Sequence, residues 1–468
     1  MKRTLLPALA AALFAGAAHA ETIRVAIGTQ DTTINTAAGG ALIRELHLLE
    51  KYLPHDGKYK DAQYDIQWKN FTSGAPITNE MVAGKLDFGS MADFPGVLNG
   101  VAHQKAGKGS IFISVLSGSV HGSGNGIVVP TDSPAQSIAD LKGKTISVPF
   151  ASTAHGMLLR AVAAQGWDPE RDVNIVTQAP EVAGPALQTH KIDAHADFVP
   201  FAELFPYRGF ARKIYDGSQA GAATLHGALV EKAYAQKYPE VVVAYLRAVI
   251  EANRLLAAQP EKYSELIAKV TGIEPEVDYL FHGPLGLQTR DLTWKPEYRR
   301  AVQTSFDTLK LLKRADGDLN ANTFIDDSYL RAAFKAEHLD YEAALRNYAQ
   351  TPLAANDALT GKPIAKTDRV AQIWVRGEAK VRSYASPEEA VRELGTLERD
   401  GKQVRAFYAQ DRESGIKLLG DQAWFARSAD GQLNAFLLKD RAEVWANAHG
   451  AQVLDFAAAR QPTALANR

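Results

Sequence analysis

"GKLDFGSMADFP" at residues 84–95 and "HKIDAHADFVP" at residues 190–200 are two versions of one pattern. Each ends a helical run on Lys, passes through an apolar-Asp-apolar step that starts a strand, then reaches an aromatic residue and a proline. The two copies stand at matching points of two series in which strands alternate with helices, before and after Ile127-Val128-Val129-Pro130. Such alternation predicts mainly parallel sheets covered on both faces. Its duplication predicts two similar α/β lobes.

Working outward, residues 22–28 alternate as a strand and stop at Gly28, and Leu42, Ile43, Leu46, Leu48 and Leu49 follow at helical spacing. The next strand is expected at 64–68. Gly- and Ser-rich stretches at 117–125 and 217–227 are the natural crossings between lobes. They assign lobe one to residues 21–120 and 225–348, and lobe two to 121–224. From Tyr238 to about residue 347 the pattern is helical, with Pro239 at a first-turn position. Residues 349–368 hold few large apolar side chains and read as a linker. Residues 369–468 read as a compact α+β unit of ferredoxin-like type. Its strands are expected at 370–375, 404–408, 434–438 and 452–456, with helices from Ser386-Pro387-Glu388-Glu389 and near Asp440.

The first twenty residues have the form of a cleaved leader. Lys2 and Arg3 precede an apolar run and Ala18-His19-Ala20, so the mature chain is expected to start at Glu21. No later run reaches the roughly 18 apolar residues of a membrane span. Without Lys2 and Arg3, the 52 basic and 53 acidic residues leave a chain three charges negative, which lacks the basic footprint of a nucleic-acid binder. The absence of Cys removes disulfides, thiolate metal sites and Cys nucleophiles together. We expect an exported, periplasmic protein.

Two stretches carry chemistry. In Ser73-Gly74-Ala75-Pro76, proline is expected at the first helical position, where its missing N–H costs nothing, behind a Ser-Gly pair at the positive end of the helix dipole. An anion site and a plain helix cap both fit this motif. Residues 151–155, Ala-Ser-Thr-Ala-His, open a second helix with Ser152 or Thr153 as cap and His155 in its first turn. His121, His155, His195 and His226 all fall near expected hinge or cleft positions, without metal-ligand spacing. An Asp-rich run at 314–329 has the alternation of a calcium loop but Ala321 where the turn needs Gly and Asp327 where the loop needs Glu. No P-loop and no nucleophile elbow is present.

These motifs in combination, "FTSGAP", "AGKLDFGSMADFP", "LKGKTISVPFASTAHGMLLRAV" and "HKIDAHADFVPF", resemble the nitrate/sulfonate/taurine family of periplasmic substrate-binding proteins that serve ABC importers. The resemblance runs from about residue 21 to 347. It implies two Rossmann-like lobes with a hinge (a type II-like binding-protein fold) closing on a small oxyanion or sulfonate, without a cofactor or catalytic group. It also implies a monomer that delivers the anion to an inner-membrane permease. Ser73 and Gly74 would hold the ligand from lobe one, and Ser152, Thr153 and His155 from lobe two, with Asp93 near an amine or ordering the site. Thr29, Gln30, His121, His195 and Phe198 complete the expected ligand set. The family often carries D-A-W-x-x-W-D-P where this chain has His195 and Val199, which leaves the identity of the ligand open. The C-terminal unit resembles the copper-chaperone lipoproteins of nitrous oxide reductase, yet it has no Met or Cys and a single His449, so soft copper ligation lacks its atoms. Two other readings stand beside the importer: a metal or metal-chelate carrier, and an enzyme acting on a pyrimidine- or thiamine-precursor-like molecule with His155 or His195 as base.

Overall fold

The computed structural model describes residues 21–311, 315 and 319–461. The expected leader peptide, and Asp316 and Asp318 of the Asp-rich run, lie outside them. Asn320 caps the short helix Ala321–Phe324, accepting from the Asn322 and Thr323 amides.

Two five-stranded sheets share one topology. The first runs Gln63–Asn70, Thr22–Thr29, Phe88–Ala92, Thr224–Glu231, Ser110–Ser119. Its first three strands are parallel, and Thr224–Glu231 is antiparallel to both neighbours. The second runs Asn174–Thr177, Thr145–Val148, Ala194–Asp197, Gly126–Pro130, Ala211–Asp216, again with three parallel strands and an antiparallel fourth. In each sheet the antiparallel strand is the one delivered by the other lobe. The crossings occupy residues 120–125 and 217–223, and Gly122 and Gly217 lie back to back there: a Cβ on either would collide with backbone oxygen of the other crossing.

The repeated Asp has a structural reason. Asp87 accepts the amide of Ala26 at 2.8 Å, and Asp193 accepts that of Thr145, also at 2.8 Å. In each lobe this carboxylate ties the third strand's approach to the first strand of its sheet.

Four successive helices beyond the second crossing, Pro239–Ala258, Pro260–Thr271, Pro275–His282 and Pro296–Leu311, each open on a proline, where a missing N–H costs no helical hydrogen bond.

The C-terminal unit differs from the expected ferredoxin-like sheet. Its strands divide into a sheet of four (Arg382–Tyr384, Ala371–Val375, Val404–Gln410, Lys417–Leu419) and a sheet of three (Leu433–Phe436, Trp424–Arg427, Gln452–Leu454). Each contains a ββαβ unit, with the helices Pro387–Arg399 and Lys439–His449 in equivalent places. Residues 349–368 are not a free tether. Leu285 N donates to Thr351 O at 2.8 Å, and buried Asp357 accepts from the Leu359, Thr360 and Ala385 amides. The segment is pinned to both units it joins.

Candidate functional site

A cleft of about 270 Å³ lies between the lobes, and two helix N-termini reach it from opposite sides. From lobe one comes the helix Gly74–Val82. The sequence reading put Pro76 at its first position, but the helix starts at Gly74 and Pro76 is third. That N–H is an orphan too, so the proline still costs nothing, and the Gly74 and Ala75 amides stay available. Gly74 is required by packing, since a Cβ would sit 2.7 Å from the Pro95 Cβ. Ser73 has the extended backbone of a cap but makes no cap hydrogen bond, so its hydroxyl is unspent at the cleft wall.

Ser152, on the other side, is a working cap of the helix Thr153–Ala164, accepting from His155 N at 3.2 Å. Thr153 donates across the lobe boundary to Asp93 Oδ1 at 2.9 Å, while Ser305 donates to Asp93 Oδ2 at 3.2 Å. Burial pushes the Asp93 carboxyl upward, and the two hydroxyls together with the Arg160 guanidinium counter that rise. Asp93 therefore orders the site and bonds one lobe to the other; it does not line the cleft.

Gln30, Ser73, Gly74, Ser152, Thr153 and Phe198 of the expected set line the cleft. Thr29, Asp93, His121, His155 and His195 do not. The buried Thr29 hydroxyl donates to Asp31 Oδ1 at 2.8 Å, closing the end of its own strand. His121 lies exposed in the first crossing. His155 sits behind the cleft wall, its ring parallel to Phe150 with centroids 4.7 Å apart. His195 is fully buried inside lobe two, between Ser147 Oγ at 2.6 Å and Asp197 Oδ2 at 2.8 Å. Both ring nitrogens of His195 are occupied, so its expected place in the ligand set is corrected: it is a buried structural residue of lobe two. The four histidines do not converge, and among the described residues no group of three His, Cys, Asp or Glu is placed to hold a metal ion.

His226 and Phe150 were absent from the expected ligand set. His226 lines the cleft from the strand that crosses back, and burial pushes its imidazole down to about 3, so the ring is neutral. Asn35 Nδ2, a donor, lies 3.1 Å from Nδ1 and 2.6 Å from Gln288 Oε1, and Gln288 Nε2 donates to Ser123 O in the first crossing. Nδ1 must accept, which places the ring proton on Nε2. The cleft thus receives a neutral imidazole N–H held by a relay that ends in the hinge. Phe150 keeps 45% of its surface exposed at the cleft. Among the described residues, no Lys, Arg, Asp or Glu lines the cavity. Its polar groups are neutral donors and acceptors, and the rest is apolar wall, including Pro95, Leu98 and Pro149.

Two lobes with 2-1-3-n-4 sheets closing on a cleft define a two-lobed solute-binding protein. The NMT1-like family profile matches residues 53–271. The chain is 32% identical over 249 residues to the taurine-binding periplasmic protein of Escherichia coli (strain K12), spanning 50% of this chain and 74% of that one. It is 28% identical over 286 residues to a candidate aliphatic sulfonates-binding protein of the same strain, spanning 61% and 83%. The crystal structure of the periplasmic aliphatic sulphonate binding protein from Escherichia coli superposes with a TM-score of 0.53 at 25% identity, over 67% of this chain and 100% of that one. The chain belongs to the family of periplasmic substrate-binding proteins of ABC importers that these relatives represent.

Proposed function

We propose that the protein binds a small organic sulfonate or a related oxyanion between its lobes, in the periplasm and as a monomer, and delivers it to an inner-membrane permease. One observation carries this reading. The first-turn amides of two helices from opposite lobes, with the Ser73 and Ser152 hydroxyls, reach one cleft, and the positive end of a helix dipole favours an anion. The names of the relatives point the same way. A ligand that touches both lobes selects the closed state, because only there are both sets of contacts made; the Thr153–Asp93 bond adds a direct tie.

The chain acts as a binding protein and not as an enzyme, as its relatives do. The two histidines considered as bases fit that assignment: His195 has both nitrogens engaged and His155 stands behind the wall. The C-terminal unit is proposed to be an interaction domain related in fold to the nitrous oxide reductase accessory proteins. Its single histidine, His449, stacks on Trp445 at 4.0 Å and bonds the Trp445 carbonyl through Nδ1, which favours a structural role over copper.

The test is thermal unfolding with methanesulfonate, taurine, nitrate, sulfate and divalent metals. A sulfonate at 100 times its Kd should add about 2.7 kcal/mol of stability and raise Tm accordingly. A shift with metals alone, or with no anion, overturns the reading.

A further inference from the structure

Phe150 is the only phenylalanine among the described residues with so much exposed surface, and the turn that carries it is built to hold it there. Ala151 adopts a left-handed φ of 62°, which an L-residue with a Cβ takes only at a cost. The amide of Ala151 donates to His155 Nδ1 at 3.3 Å, and the Ser152 cap holds His155 N. The result is an imidazole, 8% exposed, lying parallel beneath the phenyl ring at an interplanar angle of 3°. One face of Phe150 is covered by His155, and the ring forms part of the cleft wall with Phe198, Pro149 and Pro95.

Charge defines the rest of the ligand. Among the described residues no charged side chain lines the cavity, and the buried Asp93 carboxylate at the lobe boundary is engaged by Thr153 and Ser305. A ligand ammonium entering here would lose its water without gaining a carboxylate partner, at a cost that an aromatic face only partly offsets. A flat apolar tail would instead stack on Phe150, while the anionic end meets the two helix N-termini.

We propose, on the basis of the anion-binding reading above, that Phe150 on its His155 support is the specificity-determining platform of the cleft, and that it selects sulfonates with a flat, uncharged tail over the aminosulfonate taurine. The measurement is calorimetric affinity of the full mature chain for benzenesulfonate, methanesulfonate and taurine. Benzenesulfonate is expected to bind at least about tenfold tighter than either of the other two, the scale of one good aromatic contact. Phe150→Ala should collapse the benzenesulfonate-to-methanesulfonate affinity ratio toward one, and Phe150→Tyr should restore it. Taurine binding as tightly as benzenesulfonate, or a ratio unchanged in Phe150→Ala, overturns the platform while leaving the sulfonate assignment intact. Binding of none of the three overturns the assignment itself and the platform with it.

Discussion

The ligand cleft and the junction with the C-terminal unit are both walled by aromatic rings and polar groups, yet they spend them differently. At the junction Tyr279 is the centre. Trp374 and Tyr408 pack on it at 5.4 and 5.5 Å, Gln372 donates to its hydroxyl at 3.1 Å, and Nζ of the buried Lys417, whose pKa burial pushes far down, lies 3.9 Å from its ring centroid. Arg405 covers Trp374 and pairs with Glu265 and Glu276, and Tyr408 donates to the Glu276 carbonyl. Tyr207 of lobe two reaches the Arg405 carbonyl at 3.2 Å. In the cleft, the Ser73 hydroxyl, the Gly74 and Ala75 amides, the His226 Nε2–H and a large part of the Phe150 ring have no such partners among the described residues. The rings and most polar groups of one surface are engaged by the chain itself, although Lys417 Nζ and Trp374 Nε1 find no hydrogen-bond acceptor there among the described residues; the other surface is completed by what it binds.

The largest effect expected from this contrast is at the junction. Tyr279→Ala should cost about 3–5 kcal/mol in urea unfolding, the range for an aromatic truncated in a packed core, and it would also strip Lys417 of its ring. A loss below about 1 kcal/mol would mean that the C-terminal unit is only loosely docked.

Next in size is a pH effect at the cleft. His226 titrates near 3 in the folded chain and near 6.5 when unfolded. Between those values the unfolded state holds the extra proton, so the His226 contribution is whole above pH 6.5 and is lost as pH falls. From pH 7 to pH 5 the loss is about 2 kcal/mol. Asp278, pushed up to about 7 by burial, works in the opposite direction over the same window, so the raw profile mixes the two. The difference between wild type and His226→Gln isolates the histidine: wild type should lose about 2 kcal/mol more than the variant on going from pH 7 to pH 5. Equal slopes would show that the ring is hydrated in the folded chain and that burial does not hold it neutral.

The same contrast explains which features were legible. The two lobes could be read because the echoed Asp87 and Asp193 do the same local task, bonding the first strand of their own sheets. The crossings were visible because two segments packed back to back need Gly122 and Gly217. The choice between His195 and His226 was not legible. Ala194–Asp197 and the first seven residues of Thr224–Glu231 are buried throughout, and burial on both faces erases the alternation that tells inside from cleft. Phe150 gave no signal either, since its exposure is decided by the left-handed turn at Ala151. The segment at 349–368 looked like a tether because its anchors, Leu285 and Ala385, are remote in sequence.

The smallest effect separates the two serines that look alike in the sequence. Ser152 spends its hydroxyl as a cap, so Ser152→Ala should cost about 1 kcal/mol of stability without any ligand present. Ser73 caps nothing, so Ser73→Ala should leave the unfolding midpoint of the free protein close to wild type. Its cost should appear only with a bound anion, as a loss of about 1.5 kcal/mol in affinity, the low end for a hydrogen bond to a charged group. Paired urea titrations and calorimetry on the two variants give four numbers. If Ser73→Ala lowers stability as much as Ser152→Ala and leaves affinity unchanged, then Ser73 is a helix start and nothing more, and lobe one grips the anion through its Gly74 and Ala75 amides alone.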